Sequence, residues 1–245
     1  MQKERIGYYL IIVFGLIAIA GFFVLSPIEQ SEEYHDFCDG ELILGIPNFW
    51  NVVSNIPFMI VGLLGLLHAI KIAKPNIQYV IFFVGVSLVA IGSGYYHLYP
   101  NSQTLIWDRL PMTIAFMSLL SIIISEFMNA KAGLKLLGPL LLIGILSVVY
   151  WVLTGDLKFY AIVQFYPIVV ILVALTCFRS TYTLSIGYWV LLASYILAKV
   201  FEHFDCQTQN MLLIWSGHTL KHLTISIGII ALFYTYIKRT TVNSE

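Results

Sequence analysis

The stretch "GSGYYHLYPNSQTLIWDRLPM", residues 92–112, leaves one apolar run at 77–97 and leads into another at 109–128. His97 closes the first run and Asp108 opens the second. Each run is close to the roughly 20 apolar residues that a helix needs to cross a bilayer. The stretch therefore reads as a tight turn between two membrane spans, with an ionisable group on either side of it. Working outward, the same pattern recurs along the whole chain. Apolar runs occupy 6–26, 49–70, 77–97, 109–128, 134–153, 159–177, 184–203 and 212–236. They are too long and too poor in charge for soluble core helices.

Composition agrees. Of 245 residues, 59% are hydrophobic and only 11% charged, against about 25% charged in a soluble domain. Mean hydropathy is +0.87. The expected fold is an all-α membrane protein. A seven-helix domain at 49–236 follows an extra N-terminal helix at 1–26, with an acidic loop at 27–48 and a short tail at 237–245. Segment 6–26 also resembles a signal peptide, but it is long for one and has no clear small-residue cleavage site, so a retained anchor is favoured. The even balance of 13 basic and 13 acidic residues points to no nucleic-acid partner, and nothing in the chain specifies a protein partner.

Basic residues orient the spans. Lys3, Arg5, Lys71, Lys74, Lys131, Lys135, Arg179, Lys238 and Arg239 fall on one side, Arg109 and Lys158 on the other. The first side is expected to be cytoplasmic. The outer side then holds the 27–48 loop with Glu29, Glu32, Glu33, Asp36, Asp39 and Glu41. Cys38 and Cys206 share that oxidising face and are expected to form a disulfide, with two free thiols as the alternative, while Cys177 lies inside. Trp50, Trp107, Trp151 and Trp215 fall at outer helix ends and read as an interfacial belt. His35 reads as solvated, His68 as interfacial and His203 as a polar helix end.

The remaining histidines carry the chemistry. His218 and His222 stand four apart in "WSGHTLKHLTISIG", which puts both rings on one helix face. Alone, that spacing is weak. Both lie inside an apolar helix, however, where unpaired polarity is costly and ionisable residues mark function. His97, Ser93 one turn before it, and Asp108 fall near the same outer face. Three histidines make a metal site with a fourth position open to water, the catalytic pattern for zinc. Each residue also has a structural reading. Asp108 could cap its helix with Pro111 in the first turn, Ser93 could pack between Gly92 and Gly94, and the histidines could bond across helices or relay protons. Their common side and spacing favour the metal.

"FWNVVSNIPF", "GSGYYH…WDRLPM" and "SGHTLKH" together resemble the alkaline ceramidases, seven-helix membrane hydrolases of the CREST superfamily, over roughly 36–236. The resemblance implies a zinc-dependent amidohydrolase acting on ceramide or another N-acyl lipid, releasing a fatty acid and a sphingoid-type amine. His97, His218 and His222 match the zinc ligands, Asp108 the residue that deprotonates water, and Ser93 the serine that steadies the oxyanion. It also implies calcium bound through Asp36, Phe37, Asp39 and Asn48, where Asn48 replaces a glutamate and Glu41 is a substitute oxygen. Cys38 and Cys206 match the family's disulfide positions. Two other readings keep the site: an ester hydrolase of lipid anchors, and a zinc-containing receptor of the progestin and adipoQ type. The receptor's site lies inside the cell, whereas this one falls at the outer face. A transporter relaying protons would need interrupted paired helices, which the chain lacks.

Overall fold

The computed structural model describes residues 2–72 and 76–242. Lys74, counted above among the inner basic residues, lies outside them. The helices are α1 (Gln2–Val24), α2 (Phe49–Val53), α3 (Ile56–Lys71), α4 (Ile77–Leu98), α5 (Ser102–Ile123), α6 (Ala130–Thr154), α7 (Lys158–Cys177), α8 (Ile186–His203), α9 (Asp205–Leu212) and α10 (Gly217–Lys238). A π-helical turn, Ile124–Met128, extends α5. The described residues contain no strand. The chain is an all-α membrane bundle.

Among the described residues, seven helices are long and apolar enough to cross a membrane: α1, α2 with α3, α4, α5 with its π turn, α6, α7 and α10. The remaining apolar run, 184–203, makes α8, which is not among them. Its 18 residues include Tyr195, Lys199 and Glu202, which face an internal cavity. An inward polar face lowers its hydropathy without removing it from the bundle, where it packs along α10.

α5 sits at the centre, against α4, α6 and α7, and its side chains from Met117 to Ile123 are buried in sequence. α1 is the opposite case. Only Gly7 is buried along it, and it lies against α7, so most of its apolar surface faces outward, as a lipid-facing helix requires. Tyr166 on α7 donates to the Ile11 carbonyl at 3.0 Å. At the other end of α1 the Lys158 ammonium donates to the Leu25 carbonyl at 2.7 Å.

α5 begins earlier than hydropathy indicates. Asn101 caps it, accepting from Gln103 and Thr104 N–H in a reciprocal capping box. Asp108 is therefore well inside the helix and is not its cap. Helix-dipole stabilisation is confined to the first turn and does not reach Asp108. The π turn carries Glu126, which is 3% exposed. It accepts from Tyr79 at 2.9 Å and Tyr188 at 2.8 Å and pairs with Arg239 at 2.7 Å. That cluster ties the end of α10 to α5.

A histidine triad at one end of the bundle

His97 sits in the last turn of α4, and His218 and His222 in the first turns of α10. All three are buried. Their ring centroids form a near-equilateral triangle of 4.8, 4.9 and 5.0 Å, and one ring nitrogen from each lies within 4.8 Å of the others. Among the described residues this is the one such group of metal-ligating side chains.

Local packing dictates the convergence. α4 and α5 touch backbone to backbone at Gly92, where any Cβ would collide with the Trp107 carbonyl. This approach sets Ser93 beside Asp108. Gly217 does the same for α10, lying against the backbone of Phe201 and Asp205. Ser216 caps α10, accepting from Thr219 N–H. Asp205 accepts from His218 N–H at 2.6 Å and from Cys38 N–H at 3.1 Å. The disulfide between Cys38 and Cys206 stands beside it, so the bridge pins the outer loop to the helix that bears two histidines.

The triad fits a metal ion. Ser54 donates its hydroxyl proton to the Asn51 carbonyl at 3.0 Å and lies 2.8 Å from Nδ1 of His222. The Nδ1 edge of His222 is thus occupied by Ser54, which leaves Nε2 as the nitrogen available to a metal. A ligating histidine is ordinarily oriented in this way. Among the described residues His97 has no hydrogen-bond partner at either ring nitrogen, although both are buried. An orphaned buried polar group costs about 1–3 kcal/mol, and coordination would remove that cost. Nitrogen donors suit zinc and other borderline metals over calcium or magnesium.

His222 lines a cavity of about 460 Å³ together with Ser93 and Asp108, and apolar side chains including Phe82, Phe116 and Ile171 complete its wall. Phe37, from the outer loop, lies edge-on against His97 at 4.6 Å and His218 at 4.5 Å. It covers two of the three rings.

The other outer-loop residues have partners of their own. Asp39 is fully buried and accepts from Asn51 N–H at 2.8 Å and Glu41 N–H at 3.4 Å. Burial pushes its carboxyl up, against those N–H bonds. Glu41 accepts from the Trp50 indole at 3.2 Å, and Asn48, in the left-handed region at φ 49°, donates to the His97 carbonyl at 2.8 Å. Asp36 is exposed. Two sequence expectations change here. His35 is not solvated but lies 2.8 Å from the Tyr96 hydroxyl and 3.1 Å from Ser102. Trp151 is not in an interfacial belt but is buried at 5% exposure, with the Arg109 guanidinium over its ring.

Sequence reasoning also missed Asn51, Ser54 and Asp205. Asn51 accepts from Thr219 at 2.8 Å and Ser216 at 3.3 Å, joining α2 to the start of α10. The signal for Asn51 and Ser54 was present in "NVVSN", a polar cluster opening an apolar run, where polar groups need partners.

No curated protein matches the chain. The family model described as Ceramidase matches residues 30–245, beginning after α1 and taking in the triad, Ser93, Asp108 and both bridged cysteines. Membership implies a ceramide-hydrolysing membrane enzyme, and on this match the chain belongs to the ceramidase family.

Proposed function

We propose that this chain is a zinc-dependent amidohydrolase that cleaves ceramide or a related N-acyl lipid, with zinc held by His97, His218 and His222. One observation carries the reading: three histidines have converging nitrogens, and one of them, His222, lines an apolar cavity that also presents Ser93 and Asp108. Zinc bound there would supply a Lewis acid and a water ionisable near neutral pH.

The side chains then have separate work. The cavity takes the acyl chain and brings the amide carbonyl to Ser93, whose hydroxyl donates to the carbonyl oxygen as negative charge develops on it. Asp108 takes a proton from the attacking water and delivers it to the amide nitrogen. A carbon–oxygen bond forms, the carbon–nitrogen bond breaks, and a fatty acid and an amine leave. Phe37 and the bridged loop keep bulk water from the triad.

Lipid reaches the cavity from the bilayer, between α7 and α8. These helices meet sparsely, and a groove on their outer surface shares Phe165, Ile168, Tyr195 and Lys199 with the cavity wall. The basic residues at the far helix ends support an outer-facing site with residues 1–26 as a membrane anchor and 49–236 as the catalytic domain. Calcium has less support than zinc, because Asp39, Glu41 and Asn48 already have protein partners. Calorimetric titration of calcium into the protein and its Asp39→Asn variant decides that point.

The test of the main reading is zinc content and amide hydrolysis, in detergent, of wild type and His97→Ala. About one zinc per chain and release of fatty acid from an N-acyl sphingoid lipid, both lost in the variant, are expected. A folded wild type that binds no zinc ends the proposal.

A further inference from the structure

Arg109 follows Asp108 on α5 and lines the same cavity. It is 6% exposed. Its guanidinium lies 4.2 Å from the Trp151 ring centroid, 4.8 Å from Tyr160 and 5.8 Å from Tyr34. One terminal nitrogen, Nη2, donates to the Gln30 side-chain oxygen. The other, Nη1, is buried and has no acceptor among the described residues.

The other cations lining the cavity are differently placed. Lys199 and Lys221 both donate to Glu202, Lys221 at 2.9 Å. Their charges are answered by a carboxylate, whereas the charge of Arg109 is answered by aromatic faces. Rings stabilise a cation through their quadrupole but offer no acceptor to the N–H edge of a guanidinium. The plane of the guanidinium is held by Gln30 and three rings, so Nη1 presents its protons at a fixed place. A desolvated donor in that position needs an oxygen.

We infer that Arg109 is a specificity-determining residue whose Nη1 donates to an oxygen on the polar head of the lipid, close to the scissile amide. This rests on the amidohydrolase reading above. The acceptor chemistry has two sources, a hydroxyl on an uncharged head or an anionic oxygen of a phosphorylated head.

The experiment compares wild type, Arg109→Met and Arg109→Lys on three lipids of equal chain length: an N-acyl long-chain amine bearing a head hydroxyl, its deoxy counterpart and its phosphate ester. Turnover is followed, and binding is measured in parallel with the matching non-hydrolysable N-alkyl analogues through tryptophan fluorescence, which Trp151 beside Arg109 reports. Wild type is expected to prefer an oxygen-bearing head over the deoxy one by roughly 10-fold, the scale of one hydrogen bond to a charged group. Preference for the phosphate over the hydroxyl identifies the anionic source, and the reverse identifies the neutral one. Arg109→Met, with zinc content retained, should raise KM for the preferred lipid about 10-fold, change kcat by less than about 3-fold, and erase the preference. Arg109→Lys keeps the charge without the planar fork and should fall between. A preference that survives in Arg109→Met overturns the inference, as does a wild type that binds deoxy and oxygenated analogues alike, which assigns Nη1 to water. The binding arm stands even if no amide is cleaved, so loss of the hydrolase reading and loss of this one are separate results.

Discussion

The hydroxyl of Ser54 lies 2.8 Å from Nδ1 of His222, across 168 positions of sequence. It joins the kink between α2 and α3 to the helix that carries two of the three histidines. The contact fixes which ring nitrogen faces the triad, and it makes Ser54 a positioning residue for a ligand rather than a ligand.

Ser54→Ala should therefore weaken zinc binding about 10–100-fold, the usual effect of losing a partner behind a ligating histidine. Competition against a chelator of known affinity measures it. Fold should survive, since one hydrogen bond contributes about 1 kcal/mol. Unchanged zinc affinity would mean that His222 is oriented by packing alone.

Asp108→Asn should retain zinc and lose at least about 100-fold in turnover, the scale of general base catalysis. Ser93→Ala, which removes an oxyanion donor, should lose about 100-fold in kcat with a smaller change in KM. The informative measurement is kcat beside zinc content in the same preparations. Full turnover in Asp108→Asn would remove it as the proton carrier.

Reduction of the Cys38–Cys206 bridge should lower the thermal midpoint by about 5–10 °C, corresponding to about 2–4 kcal/mol for a native disulfide. Zinc should also be released faster, because Asp205 beside the bridge holds the first turn of α10 through His218 N–H. Melting curves and zinc release with and without reductant give both numbers. Equal zinc release in the two states would separate the bridge from the triad.

His35 gives a pH dependence outside the membrane spans. Burial and, more weakly, Arg109 depress its pKa, while Glu32 and Asp36 oppose them. The folded protein thus resists protonating a ring that the unfolded chain protonates freely below about pH 6.5. Its contribution to stability is complete above that value and is lost as pH falls towards the depressed folded pKa. Between about pH 7.5 and 5.5 the midpoint should fall more steeply in wild type than in His35→Gln. Parallel curves would show that the Tyr96 and Ser102 contacts tolerate the charged ring.

The sequence by itself determined the membrane class, the succession of helices, the shared side of the ionisable residues and the candidate site. The reason is that hydrocarbon is an unforgiving solvent. Apolar length must match its thickness, and a His, Ser or Asp within it stands out against the apolar background. Hydropathy did not locate where α5 begins, because Asn101 starts the helix among polar residues that no apolar run includes. For the same reason Asp108 seemed to open a helix that in fact starts at Ser102.

Tertiary structure decided everything that depends on distance across the bundle. Only the approach of α4 to α5 at Gly92 puts Ser93 beside Asp108. Only the folded outer loop sets Phe37 on two histidine rings, directs the oxygens of Asp39 to backbone N–H groups and gives His35 two partners. Arg109, in sequence one more basic residue at an outer helix end, becomes a cation ringed by aromatics with one donor left over. Spacing along a helix is fixed by local geometry, and so the four-residue step from His218 to His222 could be read directly. Contacts between residues far apart in the chain depend on how whole helices pack, and hydropathy carries no record of that.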